Sequence, residues 1–428
     1  MAKTVALLGA LDTKGAEYGF VKQCIEARGH RTLLIDVGVL EAPRIAPDVD
    51  RRQVARAAGA DLDELVRRRD RGEAVAAMAR GAEVLVPRLY AEKRFDGIMA
   101  LGGGGGTSVA CSAMRTLPLG VPKVMVSTVA GTDVSGYVGV KDIVMVPSIV
   151  DVSGVNRISR EVFARAAGAI CGMLEIEVPP GEDKPLVVAS MFGNTTPCVE
   201  AARAILEQAG YEVLVFHATG TGGRTMESLI EAGLIAGVLD VTTTEWADEL
   251  VGGVFSAGPT RLEAAARSGV PAIVTPGCLD MVNFWAPPTV PERFQGRKFY
   301  QHNPNVTLMR TTPEENARLG EVLAEKLNLS TGPVTVLLPL RGVSMIDCPG
   351  GAFWWPEANR ALFDALKKNL RPDVPVVELD ANVNDPAFAR ACAETLLESM
   401  RRKWQGVERE GRTLAKAPRR KGSVFREE

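Results

Sequence analysis

Short, uninterrupted apolar runs alternate along the chain with longer stretches in which apolar residues recur every three or four positions. The runs read as parallel strands buried on both faces, and the longer stretches as helices laid over them. Strands are predicted over 5–8, 32–35, 97–101, 124–127 and 143–146 in the first half, with helices over 16–28 and 72–93. The second half predicts strands over 186–189, 213–216, 237–241, 272–275 and 334–339. Segments 29–36 and 210–217, 97–101 and 237–241, and 119–126 and 268–275 align in the same order, each with a glycine at or near its start. Glycine ends helices whatever their ancestry, so one such pair means little, but three in register predict a duplication. The expected fold is α/β, two similar Rossmann-like doubly wound domains over 1–180 and 185–400. A Pro-Pro-Gly-Glu-Asp-Lys-Pro linker joins them.

Composition supports this picture and removes other classes. With 428 residues, 46% hydrophobic and 24% charged, the chain can build two cores and is neither disordered nor fibrous. The net charge of −2 splits unevenly, because residues 401–428 carry ten Lys or Arg against four Glu. That basic tail is expected to be mobile and solvated. With only Trp404 and Phe425 interleaved, it lacks the stacking groups of a nucleic-acid arm. Seven cysteines in no Cys-x-x-Cys spacing argue against a disulfide framework and a zinc ribbon. No apolar run approaches the ~18 residues of a membrane span, and the first residues enter a strand without the features of a signal peptide. A cytoplasmic protein with a small-molecule ligand is expected, one that engages neither membrane nor specific nucleic acid.

In open parallel sheets ligands bind beyond the carboxyl ends of the strands, and the unusual sequence falls there. If the domains face each other, one interdomain crevice collects both sets of loops. Gly103, Gly104, Gly105, Gly106 and Thr107 follow the strand at 97–101 and open a helix. Backbone N–H groups without side chains are what a phosphate requires, although the Gly-Lys-Ser/Thr ending of a P-loop is missing. His217, Thr219, Gly220, Thr221, Gly222, Gly223 and Arg224 form a second such loop. Arg224 sits poorly at the positive end of a helix unless an anion joins it, so this loop is the preferred seat for a polyphosphate. Lys14 poses the same conflict beside Thr13, while Asp36 at a strand end could accept ribose hydroxyls. Gly131 and Thr132 lie in a third turn. His217, Glu245 and Asp280 are candidate acid/base groups, and Asp133 and Asp280 candidate ligands for Mg²⁺. Cys278 is read as a buried small residue and His30 as structural.

Asp12-Thr13-Lys14-Gly15, the loop at 102–107, Val129-Ala130-Gly131-Thr132-Asp133, the loop at 217–223, the segment 277–284 and the segment 339–344 together carry a family resemblance. The chain up to about residue 400 resembles the uncharacterised protein family that includes the plant tobamovirus-resistance protein. The resemblance implies an ATP-binding protein of two α/β domains, using Mg²⁺ and tending to form dimers. It also implies that a TIM-barrel domain carried by plant and fungal relatives would here be a separate partner subunit. Two uses of ATP are compatible with it. One is metabolic, acting on a small carboxylate or sugar-acid substrate as a ligase, transferase or weak ATPase. The other is a non-enzymatic, ATP-responsive protein-binding module.

Overall fold

The computed structural model describes residues 1–409. Most of the basic segment 401–428 lies outside them, and its first nine residues continue the last helix, Pro386–Arg409. The chain divides into two compact units, Met1–Gly181 and the part beginning at Glu182.

In the first unit β1 (Thr4–Gly9), β2 (Arg31–Asp36), β3 (Gly97–Gly102), β4 (Lys123–Ser127) and β5 (Val144–Pro147) form one parallel sheet in the order β2-β1-β3-β4-β5. Successive residues of each strand point to opposite faces. Ala6, Leu8, Ile98 and Ala100 therefore join one core, under the helices Arg71–Ala91 and Gly104–Arg115, while Val5, Leu7, Met99 and Leu101 join another, under Leu11–Glu26 and Arg157–Glu175. Two cores on two faces make this half doubly wound.

The second unit repeats the plan. β6 (Leu186–Met191), β7 (Glu212–His217), β8 (Ile235–Thr242) and β9 (Ala272–Gly277) have the ranks of the first four strands above. β10 (Met281–Phe284), β11 (Phe299–Asn303) and β12 (Val306–Arg310) form a small antiparallel sheet inserted after β9. β13 (Val334–Pro339) and β14 (Val376–Leu379) complete the main sheet, whose order is β14-β13-β9-β8-β6-β7. Read from its own first strand that is 2-1-3-4-5-6, the order of the first unit plus one. The three aligned segment pairs supply the second, third and fourth strands of each unit. The inserted sheet and β14 were not predicted: β11 is exposed throughout and β14 has no fully buried residue, so neither shows the continuous apolar run of a buried strand.

A 2-1-3-4-5 sheet reverses its winding between its first and third strands, and there the ladder opens. In the first unit Tyr18 fills that gap. Its buried hydroxyl donates to the Leu8 carbonyl (2.5 Å) and accepts the Leu101 N–H (2.8 Å). Burial drives its phenol well above the ordinary range. A Cβ on Gly9 would lie 2.0 Å from the Tyr18 ring, so the strand ends on glycine to admit it. Tyr18→Phe should cost about 1–3 kcal/mol in urea unfolding, because two buried backbone groups lose their partner. An unchanged midpoint would show that the hydroxyl is dispensable.

Candidate functional site

On the first unit's carboxyl edge, the turn after β1 is closed by the protein itself. The helix Leu11–Glu26 starts sooner than predicted, with Lys14 kinked out of helical geometry. Lys14 donates its ammonium to the Val152 carbonyl, which answers its conflict with the helix dipole without a ligand. Asp12 accepts the Leu40 N–H (2.8 Å), and Asp36 accepts those of Leu11 (3.0 Å) and Gly38 (2.9 Å). Asp36 is wholly buried and its second oxygen has no partner; burial raises its pKa. It is a brace at the helix start and does not face open space for a ribose. Thr13 remains exposed.

The turn after β3 is different. Gly103 precedes the helix Gly104–Arg115 and no side chain caps it. Thr107 is a tether: its buried hydroxyl donates to the Gly103 carbonyl (2.9 Å) and shares a hydrogen bond with Ser127 (2.7 Å). Gly103, Gly104, Gly105 and Gly106 are not among the residues with positive φ. A Cβ on any of them would meet only ordinary contacts, with the Thr128 hydroxyl at 3.6 Å, the Tyr137 hydroxyl at 3.8 Å, Val75 at 3.7 Å and the Arg71 guanidinium at 3.9 Å, and the Leu101 carbonyl at 3.8 Å respectively. Neither backbone conformation nor internal packing therefore demands these glycines, although each helical glycine costs about 1 kcal/mol relative to alanine. Gly131, Thr132 and Asp133, in the turn after β4, are exposed. Asp133 accepts the Ser135 N–H (2.9 Å), which holds its carboxyl below the usual range. Arg71, Thr128 and Tyr137 carry no sequence signal, since only the fold brings them to the glycines.

The second unit closes its counterpart edge from within. The hydroxyl of Thr195, beyond β6, and that of Thr242, which ends β8, meet at 2.7 Å, both fully buried. At the loop after β7, the expected phosphate seat is already filled. Glu245 accepts the N–H groups of Gly220 (2.8 Å) and Gly223 (3.1 Å) at the start of the helix Thr221–Glu231. These glycines have internal reasons. Gly220 has φ +81°, a Cβ on Gly222 would sit 1.8 Å from the His217 carbonyl oxygen, and one on Gly223 would sit 2.2 Å from Glu245. Arg224 donates to the Ser256 carbonyl (3.1 Å) and the Thr221 hydroxyl (3.3 Å), and Thr219 leans on the His217 carbonyl. His217 at the strand end and Thr221 and Arg224 in the loop are exposed.

Glu245 is held in turn by Arg261 (2.7 Å), a buried guanidinium that also makes a two-pronged pair with Asp240 (2.6 and 2.7 Å) and reaches Glu227 (3.1 Å). Burial raises the pKa of both glutamates against the pull of Arg261. Burial opposes the Arg261 charge as well, but the surrounding carboxylates outweigh it. Asp280 is likewise enclosed and does not face solvent, and among the described residues no three metal-ligating side chains gather. It belongs to a buried group with Arg310, Asp347 and Ser344.

A model of the N-terminal domain of the uncharacterised protein family UPF0261 matches residues 3–179, and a model of the family's C-terminal domain matches 184–400. A UPF0261 protein of Clostridium tetani is 50% identical over 402 residues, covering 94% of this chain and 100% of that protein. The ToMV resistance protein of Solanum lycopersicum is 44% identical over 338 residues, covering 77% of this chain but only 45% of that longer protein. Among solved structures, a UDP-N-acetylglucosamine 2-epimerase from Rickettsia bellii aligns over 97% of this chain and 99% of its own, at 10% identity and a TM-score of 0.22, too slight a likeness to bear on function. Both halves of the chain thus belong to the uncharacterised protein family UPF0261.

Proposed function

We propose that the first unit binds the phosphates of ATP, with Mg²⁺, at the start of the helix Gly104–Arg115. The observation that carries this reading is the run of four glycines that the protein's own packing does not require. Uncapped N–H groups at the positive end of a helix favour an anion, and the Arg71 guanidinium and the Thr128 and Tyr137 hydroxyls supply donors around them. The nucleotide's identity comes from the family resemblance. Mg²⁺ would neutralise phosphate charge, and of the two candidate carboxylates only Asp133 faces solvent.

The geometry favours binding over turnover. Action on a carboxylate or sugar-acid substrate needs an acid/base group, yet Glu245 and Asp280 are enclosed, which leaves His217. A module that holds a partner protein when ATP is bound needs no such group, and a relative named as a viral resistance protein suits that use. Calorimetric titration should show ATP binding with Mg²⁺. Gly105→Asp and Arg71→Glu should weaken it by about tenfold or more, on the order of 1.4 kcal/mol, at unchanged thermal stability, and Arg224→Glu should leave it intact. Equal affinity in Gly105→Asp and the parent would refute the site. Phosphate release stimulated by a small metabolite would restore the catalytic use.

A further inference from the structure

Residues 341–355 run from β13 to the helix Pro356–Asn369 without regular secondary structure, a length at which such segments are commonly functional. This strap lies over the end of β9. Its Val343 carbonyl accepts the Cys278 N–H (2.8 Å), and its Ile346 and Phe353 pack with Cys278, Met281 and Leu308. Cys278 is fully buried and has φ +59°, which a side chain rarely adopts. The strap leaves β13 through Gly342 at φ +117° and turns back through Gly350 at φ +82°.

The fastening beneath it is polar and short of positive charge. Asp280 accepts the Ser344 hydroxyl (2.8 Å), and that hydroxyl accepts the Asp347 N–H (3.0 Å). Asp347 accepts the Val343 N–H (2.9 Å) and the Asn359 amide (2.7 Å) through one oxygen. The other oxygen lies 3.6 Å from Arg310 but has no hydrogen-bond partner, and one oxygen of Asp280 has none either. The charged or titratable groups facing Asp280 are Asp347 from the strap, Arg310 from β12 and Cys278 from the preceding turn, while the helix behind offers Asp347 the neutral Asn359 amide. One guanidinium thus serves two buried carboxyls.

We infer that the strap is a proton-operated cover: a proton on Asp280 keeps residues 341–355 closed, and its loss opens them and uncovers the Cys278 thiol. Closed, Asp280 is pushed up to about 7 by burial and by Asp347. Open to water, it returns toward the ordinary value of about 4. The closed form therefore binds the extra proton between those values, and the opening constant should rise by up to about tenfold per pH unit from about 4 to about 7, then level off.

The test is competitive labelling of the whole protein with dithiodipyridine, a thiol probe usable in mild acid, read cysteine by cysteine. Partly exposed Cys24 reports intrinsic thiol reactivity, and buried Cys198 reports opening of the whole second unit. The Cys278-to-Cys24 ratio is expected to climb about tenfold or more between about pH 5 and 7 and then flatten, with Cys198 unmoved. In Asp280→Asn, which stays neutral, the ratio should remain low and flat. A flat ratio in the parent protein overturns the inference, as does a rise that Cys198 shares or one that persists in Asp280→Asn. If the variant does not fold, the comparison of Cys278 with Cys198 in the parent still decides.

Discussion

Replacing Glu245 by alanine should lower the unfolding free energy of the second unit by about 3–5 kcal/mol, as expected when one partner of a buried ion pair is removed. The carboxylate is 1% exposed and joins three elements that are distant in sequence: it accepts the Gly220 and Gly223 N–H groups and pairs with Arg261. Without it a helix start loses its carboxylate partner, and among the described residues Arg261 keeps Asp240 and Glu227 to balance its charge. Glu245→Gln should fall between parent and alanine. Its amide oxygen can still accept the two N–H groups, but its NH₂ meets the Arg261 donor. Urea unfolding at neutral pH measures the order; a loss below about 1 kcal/mol in the alanine variant, the range of a surface pair, would mean that the carboxylate is not what seals this loop.

Arg310→Met is expected to be of similar size, about 3–5 kcal/mol, with a pH signature that the first variant lacks. Arg310 is fully buried and donates to the Phe353 backbone carbonyl, the Thr311 hydroxyl and the Asn359 side-chain Oδ1, each at 2.8 Å. It is also the counter-charge of Asp347, whose pKa burial already raises. Methionine keeps much of the stem and removes the charge. Asp347 should then hold its proton more tightly, so the variant's deficit should be smallest in mild acid and grow as pH rises and the unfolded chain releases that proton. Unfolding in urea at two pH values reads this directly, and a deficit independent of pH would refute the assignment of Arg310 as the counter-charge.

The strand pattern was legible because parallel strands buried on both faces must be apolar throughout. Segments such as 97–101 and 334–339 announce themselves, and the glycines at or near the start of the three aligned segment pairs give the duplication away. The loops were legible only as composition. Glycines at 103–106 and at 220–223 look alike in sequence, yet they follow the third strand of one unit and the second strand of the other, so they are not copies of one site. What separates them is Glu245, twenty-two residues beyond Gly223, and no local pattern shows that its carboxylate returns to that helix start. Lys14 and Asp36 show a related limit of local pattern: a charge at a helix end can be answered by a distant backbone group such as the Val152 carbonyl or the Leu11 N–H, and only the fold supplies it. Arg71 gives no local signal because it stands more than thirty residues ahead of the glycines it adjoins.

The sealing of Glu245 also sets how each unit responds to its medium. At physiological ionic strength mobile ions screen charges over about 8 Å, and the first unit's glycine turn is open to them. Any anion held there competes with dissolved salt, and its grip should slacken as ionic strength rises. In the second unit the same kind of helix end is neutralised by a carboxylate that solvent ions cannot approach. One domain is thereby exposed to the ionic composition around it, while its sister keeps a fixed internal charge balance from dilute buffer to brine.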